Sequence, residues 1–332
     1  MVDEAAHGAL PARRRLGRGE AGIAVVVLVI LAAAALRPLL QDLLDRPAVA
    51  HWATIFVAIA IQAMPFLVLG VTISAAIAAF VPAGALPKLL PKQPGLAVPV
   101  AAVAGAALPG CECGSVPIAG RLVARGAPAA AALTFLLSAP AINPVVLVAT
   151  AVAFPGRPEV WVGRLLASLL ASIVVGLIWV KLGRDDLLDR ARRGHTHEGS
   201  KGAIFAGTAQ HDLLHAGGFL IVGAATAATL QTVVPRSVLD SVAGSGFFAA
   251  LALAGLAVVM AICSEADAFV AASLTQFSLT ARLTFMVVGP MVDVKLIALQ
   301  AGTFGRSFAV RFAPMTLLVA IVSSAAVGWW LL

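Results

Sequence analysis

Two short polar segments of this chain carry residues whose chemistry suits a soft ligand. The first, Pro109–Pro117, holds Cys111 and Cys113 on either side of a glutamate, and the second, Cys263–Asp267, holds the remaining cysteine beside two acidic residues. Three cysteines in total are too few for a disulfide framework. Cys111 and Cys113 lie one residue apart, which is poor geometry for a bridge. We therefore interpret the cysteines as free thiols or as ligands.

The candidate substrate-binding residues share a polar side chain in a segment whose flanks are apolar. Charged groups in such a setting are costly and usually functional. The candidates are Cys111, Glu112, Cys113, Ser115, Asn143, Cys263, Ser264, Glu265, Asp267, Asp293 and Lys295, with the three cysteines as thiol ligands. Cys263 alone also fits a small apolar filler, and Lys295 also fits a counter-charge for one of the carboxylates.

Glycines and prolines at the same points predict breaks in the helices, because proline cannot continue the backbone hydrogen-bond ladder. The predicted break residues are Gly110, Gly114, Pro117, Pro140, Pro144, Gly289 and Pro290. Irregular backbone inside a membrane is tolerated where it is buried in protein or lines a cavity. The breaks therefore predict a central binding site.

The composition indicates an all-α polytopic membrane protein. Hydrophobic residues make up 61% of the chain and charged residues 12%, about half the charged fraction of a soluble domain. Each of five charge-free runs is long enough to cross a bilayer. These runs are Pro47–Pro87, Gly126–Gly156, Leu213–Pro235, Ser241–Ser264 and Phe312–Leu332. The lipid bilayer is thus the predicted partner. The net charge of +7 comes from loops that set orientation, so no nucleic-acid partner is predicted.

An internal duplication is visible in matched residues at a nearly constant offset. Coincidence of one spacing across separate segments indicates two copies of one unit. The matched pairs are Phe66–Gly70 with Phe219–Gly223, Leu133–Phe135 with Leu283–Phe285, Pro140 with Pro290, Asn143 with Asp293, and Cys113 with Cys263.

The duplication and the basic residues together predict the domain organisation. We expect a tail at 1–19, an extra transmembrane helix at 20–40, a first repeat at 51–181, a linker at 182–210 and a second repeat at 211–332. The tail and the linker are both basic, which places them on the cytoplasmic side of the plasma (inner) membrane. Each repeat has an odd number of segments, so the second repeat is inverted, as in secondary transporters with broken helices. Whether the hairpin arms re-enter or span stays open.

Two further groups of basic or histidine residues are assigned outside the central site. His195 and His197 in the linker could acquire a metal, but we favour a solvated linker. Arg121 and Arg125 are interpreted as interfacial residues whose charged ends reach water.

The thiols favour a thiophilic substrate. Soft thiolates select soft species, such as trivalent arsenic or antimony compounds or a soft metal ion. A hard anion would prefer backbone amides and arginine, and the predicted breaks contain no arginine. The nearby carboxylates are candidates for carrying coupling protons. The oligomeric state is left open.

The combined motifs resemble those of the ArsP/YraQ-type predicted permeases over about Trp52–Leu332. The motifs are Pro109–Pro117, the Phe135 to Pro144 break, Cys263–Phe269 and Gly289–Lys295. The resemblance implies an inner-membrane permease, with Cys111, Cys113 and Cys263 as thiol ligands of an exported trivalent arsenical. In that family the residue between the paired cysteines is often uncharged, whereas here it is Glu112, which favours a cation.

The resulting hypothesis is efflux of a thiophilic metalloid or metal species by alternating access, with no catalytic residues and no cofactor. Three alternatives stay open. One is a membrane thiol oxidoreductase, although Cys111 and Cys113 lack the Cys-x-x-Cys spacing of such enzymes. The others are a membrane scaffold and a permease for an unrelated small substrate.

Overall fold

The computed structural model describes residues 46–82, 91, 93–107, 111–192, 199–233 and 246–332. Within these ranges the regular structure is helical, which confirms the all-α prediction. The helices are α1 Pro47–Phe80, α2 Pro94–Gly105, α3 Glu112–Ala124, α4 Ala129–Ile142, α5 Pro144–Ala153, α6 Pro158–Leu182, α7 Asp189–Arg192 after a 3₁₀ turn at Asp185–Leu188, α8 Lys201–Val233, α9 Gly246–Met260, α10 Asp267–Ser273, α11 Leu279–Met291, α12 Val294–Thr303 and α13 Arg306–Leu331.

Several helical segments in the described ranges are long and apolar enough to cross a bilayer. There are 6 of them: α1, α4 with α5, α6, α8, α11 with α12, and α13. A span needs about 20 apolar residues, so the chain is a multi-pass membrane protein. The predicted tail at 1–19, the helix at 20–40, Gly110, His195 and His197 lie outside the described residues.

The two repeats fold into the same order of helices. Adding 150 to the residue numbers of α5 gives the first and last residues of α12. Adding 150 to the first residue number of α4 gives the first residue of α11. In both halves the short helix (α2 or α9) packs on the broken helix (α4 or α11), which packs in turn on the closing helix (α6 or α13). The half-helices α5 and α12 pack on α10 and α3 of the other repeat. The opposite orientation of the two repeats stays a prediction.

The backbone breaks are narrower than the sequence predicts. The regular helices stop at Asn143, at Val292–Asp293 and between Ala261 and Ala266. Most of the predicted break residues instead lie inside helices: Gly114 and Pro117 in α3, Pro140 in α4, and Gly289 and Pro290 in α11. Each proline removes one helical hydrogen bond, but the flanking turns continue because they are packed on all sides. Pro144 is the first residue of α5, a favourable place for proline.

Two helices also begin inside segments that the sequence interpreted as breaks or linker. Helix α3 starts at Glu112, within the polar segment Pro109–Pro117, so Cys113 lies in its first turn. Helix α8 starts at Lys201, so the last ten residues of the predicted linker, 201–210, belong to a helix of 33 residues. The basic residue Lys201 was counted with the linker, but it is the first residue of α8.

A glycine contact between α1 and α3 fixes the position of the first thiol segment. A Cβ atom on Gly70 would overlap the Cα and carbonyl of Gly114, and a Cβ on Gly114 would lie 2.8 Å from the Phe66 carbonyl oxygen. The two backbones can approach this closely only because both residues lack a side chain, as at other small-residue interfaces in membranes. The contact holds the first turn of α3 against α1.

Candidate functional site

The first thiol segment is the buried N-terminal end of α3. Cys111 occupies the cap position in extended conformation, and Glu112 and Cys113 follow in the first turn. All three side chains are essentially inaccessible to solvent. One sulfur or carboxylate oxygen from each lies within 4.8 Å of those of the other two. The Ser115 hydroxyl bonds back to the Glu112 carbonyl at 3.0 Å, so this predicted ligand stabilises the turn.

The second thiol segment is the non-helical stretch between α9 and α10. Ala261 has a φ of 46°, a region that non-glycine residues rarely adopt. The Met260 carbonyl, freed at the end of α9, accepts a hydrogen bond from Gln231 at 2.7 Å. Unusual backbone of this kind clusters at ligand-binding positions. The stretch brings the Cys263 thiol to the site.

The two segments meet through their sulfur atoms. The Cys111 thiol lies close enough to the thiols of both Cys113 and Cys263 to interact with them. All the cysteines of the chain therefore come together at the junction of the two repeats, and none of them is in a disulfide.

Lys295 links the two repeats beside the thiols. Its Nζ lies 2.5 Å from Glu112 Oε1 and 4.0 Å from Asp293 Oδ2, and it donates to the Ala261 carbonyl at 3.3 Å. The side chains of Lys295 and Glu112 are at most 1% exposed. A buried charge needs such partners. The counter-charge interpretation of Lys295 is thus correct, but its closest partner is Glu112 rather than the nearby Asp293.

Arg164 makes a second buried link, which the sequence interpretation missed. This residue of α6 donates to Asp267 Oδ2 at 2.7 Å, to the Ser264 carbonyl at 3.1 Å and to Thr150 Oγ1 at 2.9 Å. The predicted breaks themselves contain no arginine, but Arg164 reaches Ser264 and Asp267 from α6. A lone arginine within the apolar helix Pro158–Leu182 was the available signal, since such residues are rare unless paired. Each repeat thus supplies a carboxylate to a cation of the other.

Asn143 and Asp293 perform equivalent tasks at the breaks of the long helices. The Asn143 Oδ1 accepts from the Val146 amide at 3.0 Å, and the Asp293 Oδ1 accepts from the Leu296 amide at 2.6 Å. Both are therefore N-caps that satisfy a free amide at a helix start. Asn143 also donates to the Ala139 carbonyl at 3.2 Å, which ties α5 to α4. Of these two caps, only Asp293 adds a charge near Lys295.

Several buried side-chain oxygens around the thiols have no hydrogen-bond partner within the described part of the chain. They are Glu112 Oε2, Ser264 Oγ, Glu265 Oε2 and Asp267 Oδ1. Buried polar atoms normally have a hydrogen-bond partner, so such a cluster indicates atoms that can bind water, protons or a ligand. If Glu112, Glu265, Asp267 and Asp293 are all ionised, they exceed Lys295 and Arg164 by two charges. Protons or a bound cation can balance that difference.

Arg121 does not have the interfacial role that the sequence suggested. Its side chain is 13% exposed and forms an ion pair with Asp212 of α8 at 3.0 Å. Ser74 of α1 donates to the same carboxylate at 2.8 Å. Arg125, the other residue of this prediction, donates to the Ala78 carbonyl. Both arginines therefore fasten α3 to neighbouring helices.

Comparison with known proteins identifies the family of this chain. Residues 48–329 match the predicted permease family ArsP_1. This range includes both thiol segments and both broken helices. The chain belongs to the ArsP_1 predicted permease family. This membership confirms the resemblance noted from the motifs, and it supports a role in transport.

Two relatives of this permease match it over most of their lengths. One is the UPF0718 protein YcgR of Bacillus subtilis (strain 168), 37% identical over 276 residues, which cover 81% of this chain and 93% of that protein. The other, from Streptococcus mutans serotype c (strain ATCC 700610 / UA159), bears the name "Putative two-component membrane permease complex subunit". It is 31% identical over 282 residues, 82% of this chain and 94% of its own. No solved structure matches the chain significantly.

Proposed function

We propose that this permease exports a thiophilic metal or metalloid species, of the trivalent arsenical class, across the plasma membrane by alternating access. One observation carries the proposal: the thiols of Cys113 and Cys263, one from each repeat, both lie beside the Cys111 thiol. Clustered sulfur donors select soft species over hard ions. A trivalent arsenical can bond to two or three sulfur atoms at once.

Binding at this site is a balanced exchange of ligands. As each sulfur–arsenic bond forms, the thiol gives up its proton and the arsenic gives up a hydroxide, and the two leave together as water. The oxygens of Glu112 and Asp267 that have no partner in the described structure are nearby carriers for that proton. The exchange itself releases no net proton, so the proposed coupling of export to proton movement depends on protonation of the carboxylates, which exceed the cations of the site by two charges.

The two ion pairs between the repeats link movement of the repeats to the pairing of buried charges. Glu112 with Lys295 and Asp267 with Arg164 each join groups from different repeats. Movement of one repeat against the other must keep each buried charge paired or neutralise it, because an unpaired charge in a low-dielectric setting is costly. Substrate and protons can supply that neutralisation.

Expression in an arsenic-hypersensitive bacterial strain tests the function. The wild-type chain is expected to raise tolerance to methylarsenite or arsenite, whereas Cys113→Ser and Cys263→Ser are not. Membrane levels of each variant are measured by immunoblot, so that loss of protein is separated from loss of transport. Equal tolerance with and without the wild-type protein would remove the metalloid assignment.

A pH gradient across everted vesicles tests the coupling separately. With the vesicle interior acidic, uptake of the arsenical is expected to rise, because inward arsenical movement is then coupled to outward proton movement. Uptake that does not change when the gradient is collapsed would contradict proton coupling, while leaving the substrate assignment intact.

A further inference from the structure

A cavity of about 490 Å³ lies beside α3, and the thiols do not line it. Its walls come from α3, α7, α8 and α12, so both repeats and the linker contribute. The space exists because small residues line it, among them Gly120, Ala191, Ala216 and Gly302. A volume between about 300 and 1,000 Å³ with a few convergent polar groups is typical of a small-molecule site.

The carboxylate of the cavity is already neutralised. Both oxygens of Asp212 accept from Arg121, at 3.0 and 3.2 Å, and one of them also accepts from Ser74. Both bonds from Arg121 come from the single nitrogen Nη2, and they are charge-assisted, which makes them stronger than neutral hydrogen bonds. Asp212 is therefore engaged by its neighbours and adds little net negative charge to the cavity.

The remaining polar side chains of the cavity are basic apart from Thr303. Arg190 of α7 and Arg121 are two arginines that line it, against one aspartate. His211 and His215 follow each other by one turn of α8, with parallel rings whose centroids are 5.7 Å apart. His215 Nε2 lies 3.2 Å from the Gly302 carbonyl oxygen, which requires that nitrogen to donate. Arg190 thus leaves the cavity with an unbalanced positive charge.

We propose that this cavity binds the phosphate group of a small organic phosphate, with Arg190 as the principal contact and the two histidines beside it. Guanidinium groups suit phosphate because their planar donors match two of its oxygens. A cation is disfavoured by the charge of Arg190. The phosphate arrives either on a free solute or on the headgroup of an anionic lipid, since basic pockets between helices hold such headgroups. The site is independent of the thiol chemistry.

Binding to the purified full-length protein tests the proposal. The protein is placed in nanodiscs of phosphatidylcholine, and binding of glycerol 3-phosphate is measured by isothermal titration calorimetry. Parallel thermal-shift measurements compare these nanodiscs with ones that contain phosphatidylglycerol. A free solute site gives saturable titration in phosphatidylcholine. A lipid site gives stabilisation by phosphatidylglycerol.

Matched variants identify the cavity as the source of either signal. Arg190→Ala is expected to weaken it at least tenfold, and Ala216→Leu, which fills the cavity, is expected to do the same. Arg184→Ala removes one exposed arginine from the same part of the chain, but Arg184 pairs with Asp186 and does not line the cavity. This control is expected to stay within twofold of the wild type.

Two results would overturn the proposal. One is the lack of both saturable binding and lipid-dependent stabilisation in the wild type. The other is an equal loss in Arg190→Ala and Arg184→Ala, which would indicate attraction by net charge alone. Arg190 is exposed on a short helix, so its variant remains informative even if Ala216→Leu fails to fold.

Discussion

Lys295 Nζ lies 2.5 Å from Glu112 Oε1, although the two residues belong to different repeats and both are buried. The contact joins the half-helix α12 to the first turn of α3, where Cys113 lies. It therefore sets the distance between the two repeats at the thiol site, and it adds a positive charge beside the sulfur atoms.

Breaking this pair on one side should destabilise the protein more than removing both charges. Lys295→Met leaves Glu112 buried without its cation, a loss of about 3–5 kcal/mol for pairs of this type. The double variant Glu112→Gln with Lys295→Met should recover most of that loss. Thermal unfolding of GFP-tagged protein, followed by size-exclusion chromatography, measures both. A double variant no more stable than Lys295→Met would contradict the pairing.

Lysine should fail to replace Arg164. The guanidinium donates to Thr150, Ser264 and Asp267 at once, whereas an ammonium cannot reproduce this planar geometry. Arg164→Lys is expected to lower the unfolding temperature and to reduce transport at least tenfold. The control is Arg157→Lys, an exposed arginine just before the same helix, which should behave as the wild type. Similar behaviour of the two variants would argue against a structural link through Arg164.

The capping and charge roles of Asp293 can be separated. Asparagine caps a helix about as well as aspartate, whereas alanine loses about 0.5–2 kcal/mol. Asp293→Asn should therefore fold with nearly wild-type stability but change transport, because the charge near Lys295 is lost. Ser278→Ala removes the cap of α11, away from the thiols, and should cost stability without abolishing transport. Unchanged transport in Asp293→Asn would limit Asp293 to capping.

The glycine contact between α1 and α3 should not tolerate a methyl group. Gly70→Ala must push α3 away because the new Cβ meets backbone atoms of Gly114, and overpacking of this kind costs about 1–3 kcal/mol. Gly218→Ala, in the equivalent helix α8, meets no atom within 4 Å among those described. That control should be neutral or slightly stabilising, since alanine favours helix. Comparable unfolding temperatures for both variants would contradict the close approach.

The sequence predicted those parts of the site that carry a local signal. Asn143 and Asp293 stand out because each is a polar residue at a break, and the duplication relates one to the other. Cys113 and Cys263 are related in the same way, which is why both could be expected at one site.

Other parts depend on contacts between distant residues. Arg121 and Asp212 are 91 positions apart, and nothing near either residue indicates a partner rather than an interfacial position. Local propensity also placed breaks at Gly114, Pro117, Pro140, Gly289 and Pro290, because proline and glycine weaken an isolated helix. In the folded protein the packing around α3, α4 and α11 keeps these turns helical. Arg164 is an intermediate case. Its apolar surroundings in the sequence indicate that it is paired, but they do not identify Asp267 as the partner.

Uptake of methylarsenite into everted vesicles is the most direct measurement of the central claim, that the thiols of both repeats form one substrate site. The account predicts saturable uptake by the wild type and at least a tenfold loss in both Cys113→Ser and Cys263→Ser, at equal protein levels. Loss in only one of these variants, or wild-type uptake in both, would contradict a shared site.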